Sequence, residues 1–241
     1  MVITREKMRS DWDERAKKGS LYVAPSKSLE EFRESGRIDT WTILSGLPSR
    51  NFTNMTMLDV GCGLGRIEEH LSSLVGEVHG IDVSLSMINQ AKENVSKCGN
   101  VFLHLGSGHD LAQFRAETFD LVFSYVTFQH IPRKIFLEYL PEMWRVLKHG
   151  GMINLQVLSL RIPKWVYVWL RRAKNQTFKI EFEPPDDDTW SMRFYTRAEL
   201  LMAFSKAGFE NIKIVTKLLS RRSIVSVSWI TAEKRSTLTR N

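Results

Sequence analysis

The chain has 241 residues, 43% hydrophobic and 25% charged, enough for one α/β domain with a substantial core and a small addition. Its net charge of +7 and pI of about 9.5 invite an anionic partner, but the basic residues are scattered apart from pairs such as Arg171-Arg172 and Arg221-Arg222, which argues against nucleic acid. Two cysteines, Cys62 and Cys98, without metal-ligand spacing exclude a disulfide framework and favour a cytoplasmic protein, and no run of ~18 apolar residues offers a membrane span.

Residues 1 to 50 are charge-rich and read as helical pieces broken by "VAPSKS", an N-terminal helical lid; their start lacks the apolar core of a signal peptide. From residue 55 the texture changes. "MTMLDVG" predicts a short buried strand, and "RIEEHLSSL" a helix with Ile67, Leu71 and Leu74 on one face. "EVHGIDVS" is strand-like; "SLSMINQAKENVSKCG" is a helix opened by Ser84 or Ser86 and closed by Gly99. "VFLHLGSG" and "FDLVFSYV" give a third and a fourth strand. "IFLEYLPEMWRVLKHGG" is a helix running to its glycines, followed by "MINLQVLS" as a fifth strand. Residues 159 to 192 form an insertion, basic and aromatic at first and acidic later. "TRAELLMAFSKAGF" is a helix with Thr196 as N-cap and Gly208 as terminator. "ENIKIVTKL" and "SIVSVSWITAEK", joined by "LSRR", are close enough to pair antiparallel, and residues 236 to 241 are a loose tail. Strands alternating with helices indicate a Rossmann-like, doubly wound, mostly parallel sheet of seven strands with a C-terminal antiparallel hairpin, spanning residues 51 to 235.

"DVGCGLGR", residues 59 to 66, sets Gly61, Gly63 and Gly65 at alternate positions behind an apolar run. Such clustering marks a backbone that turns sharply or lies close to a ligand. Strand, glycine turn, helix delivers a nucleotide to a helix N-terminus, and Asp82, 23 residues after Asp59, is placed to accept ribose hydroxyls. A dinucleotide fingerprint would carry its third glycine where Arg66 stands.

"LDVGCGLG" resembles the cofactor loop of class I S-adenosylmethionine-dependent methyltransferases, in their type 11/25-like small-molecule branch. The resemblance continues through "GIDVSLSMINQAK", "FDLVFSYVTFQHIP", "LPEMWRVLKHGGMINLQ" and "FYTRAELLMAFSKAGFE", over roughly residues 55 to 232 in family order. It implies S-adenosylmethionine as cofactor and S-adenosylhomocysteine as product. Asp59 would then help hold the methionine amino end, with Gly61, Gly63 and Gly65 forming the turn beneath it. Asp82 would take the ribose hydroxyls, and Val83 and Met87 would lie near the adenine. "GSGHDL", with Gly108 and His109, would read the adenine rim, although Ser107 stands where many relatives carry an aspartate. Ser124 would lie under the methyl-donor end.

A sulfonium methyl is already electrophilic, so holding two reactants in line can supply on the order of 7–11 kcal/mol, and a base is needed only for a hydroxyl or protonated amine. His130 in "FQHIP" is the best-placed base, or else orients its loop; His109 comes second. Trp12 and Tyr22 either fold over the site or anchor an N-terminal helix, and Tyr125 and Tyr195 are candidates for the acceptor pocket. "IPKWVYVWLRRAK" packs as a lid or makes peripheral contact with an anionic membrane. Asp186, Asp187 and Asp188 read as solvated, and no metal is assigned. The expected acceptor is a small molecule or glycan methylated on oxygen. Two alternatives stay open: N-methylation of an amine or phospholipid headgroup, and a non-catalytic cofactor-binding partner subunit.

Overall fold

The computed structural model describes residues 5–18, 28–48, 51–160, 192–218 and 225–235. Five short runs of apolar and β-branched residues begin the sheet: β1 (Thr56–Val60), β2 (Glu77–Asp82), β3 (Val101–Leu105), β4 (Phe119–Ser124) and β5 (Leu147–Leu160). Helices α3 (Arg66–Leu71), α4 (Leu85–Asn94) and α5 (Arg133–Val146) lie between them. The chain then forms β6 (Phe194–Tyr195), α6 (Arg197–Lys206), β7 (Glu210–Leu218) and β8 (Val225–Glu233). The strand order is β3-β2-β1-β4-β5-β8-β7; β1 to β5 run parallel, and β8 is antiparallel to both β5 and β7. The expected doubly wound sheet and hairpin are therefore present, with β6 added as a two-residue parallel strand at the end of β5.

The chain winds from β1 outward to β3 and then returns to the other side of β1 at β4. A crevice opens at such a reversal, outside the carboxyl ends of the strands. Both neighbours are rigid there. In β1, Met57, Leu58, Asp59 and Val60 are all buried, and in β4 Leu121, Val122, Phe123 and Ser124 are, as expected for strands covered on both faces. Helix α5 supplies much of one cover: Ile135, Phe136, Tyr139, Leu140, Met143 and Val146 fall on its buried arc. Pro141 sits inside that helix on its solvent side, where a missing N–H is least costly.

Three boundaries differ from the sequence reading. Helix α5 stops at Val146, because Leu147 adopts extended dihedrals and pairs with Phe119. Strand β5 runs one residue past the expected "MINLQVLS", to Leu160, where pairing with Val225 of β8 carries it. Helix α4 ends at Asn94, short of Gly99. Of the two candidate caps it is Ser84 that opens it, its hydroxyl accepting the Met87 N–H at 3.1 Å. The Thr196 cap of α6 stands, as a reciprocal capping box with Glu199.

The N-terminal segment holds α1 (Arg5–Lys17) and α2 (Leu29–Ser45), the latter capped by Ser28. Both are built into the core. Met8 of α1 is buried with Leu58, Val60 and Ile81, and Ile43 and Leu44 of α2 pack with Met57 and Leu71. Burying side chains of this size is worth roughly 1.5–3 kcal/mol each. Polar contacts set the position of α1: the Arg9 guanidinium donates to the carbonyls of Val83 and Gly106, and Asp13 accepts from the Ser84 hydroxyl and the Ser86 N–H. The helix thus lies across the β2–α4 junction.

Candidate active site

The glycine turn leaves β1 with φ of 92°, 55° and 74° at Gly61, Gly63 and Gly65, conformations that side chains resist. A Cβ on Gly61 would also lie 2.3 Å from the Thr127 side chain, so the loop after β4 closes directly on the turn. The N–H groups of Gly61 and Cys62 donate to the Ile81 carbonyl at 2.7 and 3.1 Å, fixing the turn to β2. Asp82 ends β2 facing it, one oxygen accepting the Gly63 N–H at 3.0 Å and the other the Ser84 N–H at 2.9 Å. Burial pushes the Asp82 carboxyl up to about 6, while those N–H groups favour its charge, so it is mostly ionised at neutral pH.

A cavity of about 320 Å³ opens above this turn. Asp59, Gly61, Gly63, Asp82, Val83, Met87 and Gly108 line it, together with Trp12, Tyr125 and His130 from the acceptor candidates. Four sequence candidates lie elsewhere. Gly65 opens α3 and packs against Ala91. His109 turns to Asp110, 2.8 Å away. Ser124 donates its hydroxyl to the Val60 carbonyl at 2.6 Å, tying β4 to β1, and lies outside the cavity lining. Tyr195 is buried on β6 against Phe136, with the Arg133 guanidinium over its ring at 4.5 Å, and lies outside the cavity wall. Tyr22, the "IPKWVYVWLRRAK" segment and Asp186 to Asp188 fall outside the described residues.

His130 differs in character from the expected base. It is 8% exposed, Trp12 meets it edge-on with ring centres 5.6 Å apart, and Nε2 lies 3.2 Å from the Gln129 amide nitrogen. Burial first, then the charges of Arg15 and Arg193, lower it from the usual histidine range to about 4. Arg193 is itself buried and donates to the His130 carbonyl at 3.0 Å. The imidazole is therefore neutral throughout the physiological range and a weak proton acceptor.

Residues in the wall and directly behind it escaped the sequence reading. Asp39 of α2 binds Arg66 at 2.6 Å and accepts the Tyr125 hydroxyl at 2.7 Å. Val126 takes φ of 60°, unusual for a β-branched residue, with its N–H held 2.8 Å from Oε1 of the buried Gln156. Glu68 is wholly buried beside Asp59. Only Glu68 left a sequence signal: one helical turn before Leu71, it shares the apolar face of α3. Among the described residues there is no helix long and apolar enough to cross a membrane.

A family model described as a methyltransferase domain matches residues 57–151. The demethylmenaquinone methyltransferase of Staphylococcus aureus (strain Newman) is 33% identical over 168 residues, covering 65% of this chain and 68% of the relative. In fold, the chain resembles geranyl diphosphate C-methyltransferase from Streptomyces coelicolor A3(2), at 13% identity and TM-score 0.67, covering 97% of this chain and 100% of that one. It also resembles Haemonchus contortus phosphoethanolamine N-methyltransferase 2, at 16% identity and TM-score 0.67, covering 95% of this chain and 60% of that one.

Proposed function

Because the chain belongs to the class I S-adenosylmethionine-dependent methyltransferases, we propose that it methylates the oxygen of a small, largely apolar acceptor with a phenol- or enol-like hydroxyl. The cofactor supplies an electrophilic methyl on a positively charged sulfur. The residues present fit it. Asp82 offers a carboxylate at the place of the ribose hydroxyls, and the buried Asp59 keeps one oxygen without a partner among the described residues. Val83 and Met87 form an apolar wall beside them. Asp59, the Gly61–Gly65 turn and Asp82 would hold the cofactor, and α1 would cover it.

The observation that carries the acceptor reading is the neutral His130 set in an apolar wall with Trp12, Ile131 and Tyr139. Charged residues line the rest of the cavity, and Arg15 stands beside His130, but the apolar stretch of Trp12, Ile131 and Tyr139 supports a small, largely apolar molecule over a glycan. Bound in this place, the cofactor would supply the methyl group to an acceptor oxygen held in line with it, its sulfur leaving as a neutral thioether. The hydroxyl proton must leave, and an imidazole titrating near 4 accepts it poorly from a sugar-type alcohol. A phenol or enol, more acidic than a sugar alcohol, would lose its proton to solvent, so His130 need only orient the oxygen by a hydrogen bond. Positioning then supplies most of the rate.

The test is turnover of labelled S-adenosylmethionine against phenols, sugars and amines, with the methyl located by mass spectrometry. The expected product is an O-methyl phenol or enol ether. Methylation only on nitrogen would replace this reading with the amine one. Cofactor binding without turnover on a metabolite extract would favour a partner subunit.

A further inference from the structure

Glu68 is the least expected residue near the cavity: it lies behind Asp59, which lines the wall, and does not itself reach it. It lies in the first turn of α3, with 0% of its surface exposed, and neither carboxyl oxygen has a hydrogen-bond partner among the described residues. Its neighbour across the β1–α3 contact is Asp59, 2% exposed, whose Oδ1 is likewise unpartnered. Two adjacent carboxylates in a buried place cannot both remain ionised without a compensating cation.

The groups around the pair do not provide one in contact. From α3 itself comes Arg66, whose guanidinium is engaged 2.6 Å from Asp39. From β2 comes Asp82, a further negative charge. From the turn comes Cys62, a thiol pushed up by burial and by these same carboxyls. The Glu68 and Asp59 carboxyls are accordingly both raised, Glu68 to about 7, chiefly by burial. The unpartnered Asp59 oxygen faces the cavity side with the unpartnered Glu68 carboxyl behind it, a buried acidic pair with no cation in contact among the described residues.

We infer that Glu68 and Asp59 share one proton in the free protein, and that this proton passes to solvent when the cationic methionine end of the cofactor settles on the glycine turn. This rests on the cofactor placement given above. Glu68 is then a positioning residue: it acts through Asp59 and makes cofactor affinity depend on pH. The bound state favours the deprotonated pair, so affinity rises with pH and levels off once the free pair is already ionised.

The experiment is calorimetric titration of the full chain with S-adenosylhomocysteine, which keeps the ammonium group, near pH 7 in phosphate and in Tris. The two buffers differ in ionisation enthalpy, so the difference in heat counts protons. The wild type should release a fraction of a proton, rising toward roughly one as pH is lowered and the pair fills. Its Kd should weaken by up to about tenfold per pH unit in that range. Glu68→Gln should bind with a proton count near zero and a flat pH dependence. Glu68→Met, which also removes the acid, should behave alike and covers the case in which Gln fails to fold. Equal proton counts in wild type and variants would overturn the inference. Failure of the wild type to bind S-adenosylhomocysteine at all would overturn the cofactor placement itself.

Discussion

Tyr125 at the end of β4 donates its hydroxyl to Asp39 Oδ1 of α2 at 2.7 Å, while the other Asp39 oxygen holds Arg66 at 2.6 Å. One carboxylate therefore joins the N-terminal helix, the glycine turn's helix and the loop after β4. Asp39 and Arg66 are only 16% and 14% exposed, so water replaces little of what a substitution removes. Asp39→Ala should cost about 1.5–3 kcal/mol or more in urea unfolding, the range for hydrogen bonds to charged groups. Tyr125→Phe should cost about 1 kcal/mol alone and nothing further in the Asp39→Ala background. Additive costs would show that Asp39 does not bridge the two.

Asp82 carries the second prediction. Its charge is favoured by the N–H groups of Gly63 and Ser84, which fix the orientation of the carboxylate. Asp82→Ala should weaken S-adenosylmethionine binding by a few kcal/mol, at ~1.5–3 for each charge-assisted bond lost. Asp82→Asn, which keeps the shape, should lose part of that. Unchanged affinity in calorimetry, with the fold intact, would put the ribose elsewhere.

The sheet was legible because its strands are local apolar runs separated by turn residues, and the glycine side of the cavity because Gly61, Gly63 and Asp82 belong to one contiguous strand–turn–helix–strand unit. The boundary errors have a common cause. Leu147 and Leu160 take their conformation from Phe119 in β4 and Val225 in β8, tens of residues away in sequence, and tertiary pairing overrides local pattern. The same distance hid Asp39, whose partners Arg66 and Tyr125 lie 27 and 86 residues away. His130 was found by position, but its acidity was not legible, because Arg15, Arg193 and Trp12 meet it only in the folded chain.

Val126 supplies a test of strain. A left-handed β-branched residue costs on the order of 1–3 kcal/mol, and Val126 is 39% exposed, so little burial is lost on replacing it. Val126→Asn tolerates that conformation and should raise Tm by a few degrees. Because Val126 lines the cavity, the same change should raise the acceptor KM while leaving cofactor affinity in place. Gln156→Leu should do the reverse for stability, since it leaves the Val126 N–H without its 2.8 Å acceptor.

The last prediction concerns His130 and the ring that shields it. The folded value near 4 lies below the ordinary ~6.5, so protonating this histidine opposes folding, and its neutral form persists as pH falls through 6. At saturating cofactor, the wild-type single-turnover rate should therefore show no inflection from His130 between about pH 5.5 and 8. Trp12 covers the imidazole edge-on at 5.6 Å and contributes to the burial that is the largest cause of the shift. Trp12→Ala admits water, so the histidine should move back toward its ordinary value, and the variant's rate should fall below pH ~6.5 where the wild type stays level. His130→Asn keeps a hydrogen-bonding group and should cost roughly tenfold, mostly in acceptor KM. A base would instead contribute ~10²–10⁴-fold to the chemical step. A wild-type inflection near 6.5, abolished in His130→Asn with a loss of that size, would return His130 to the role of general base.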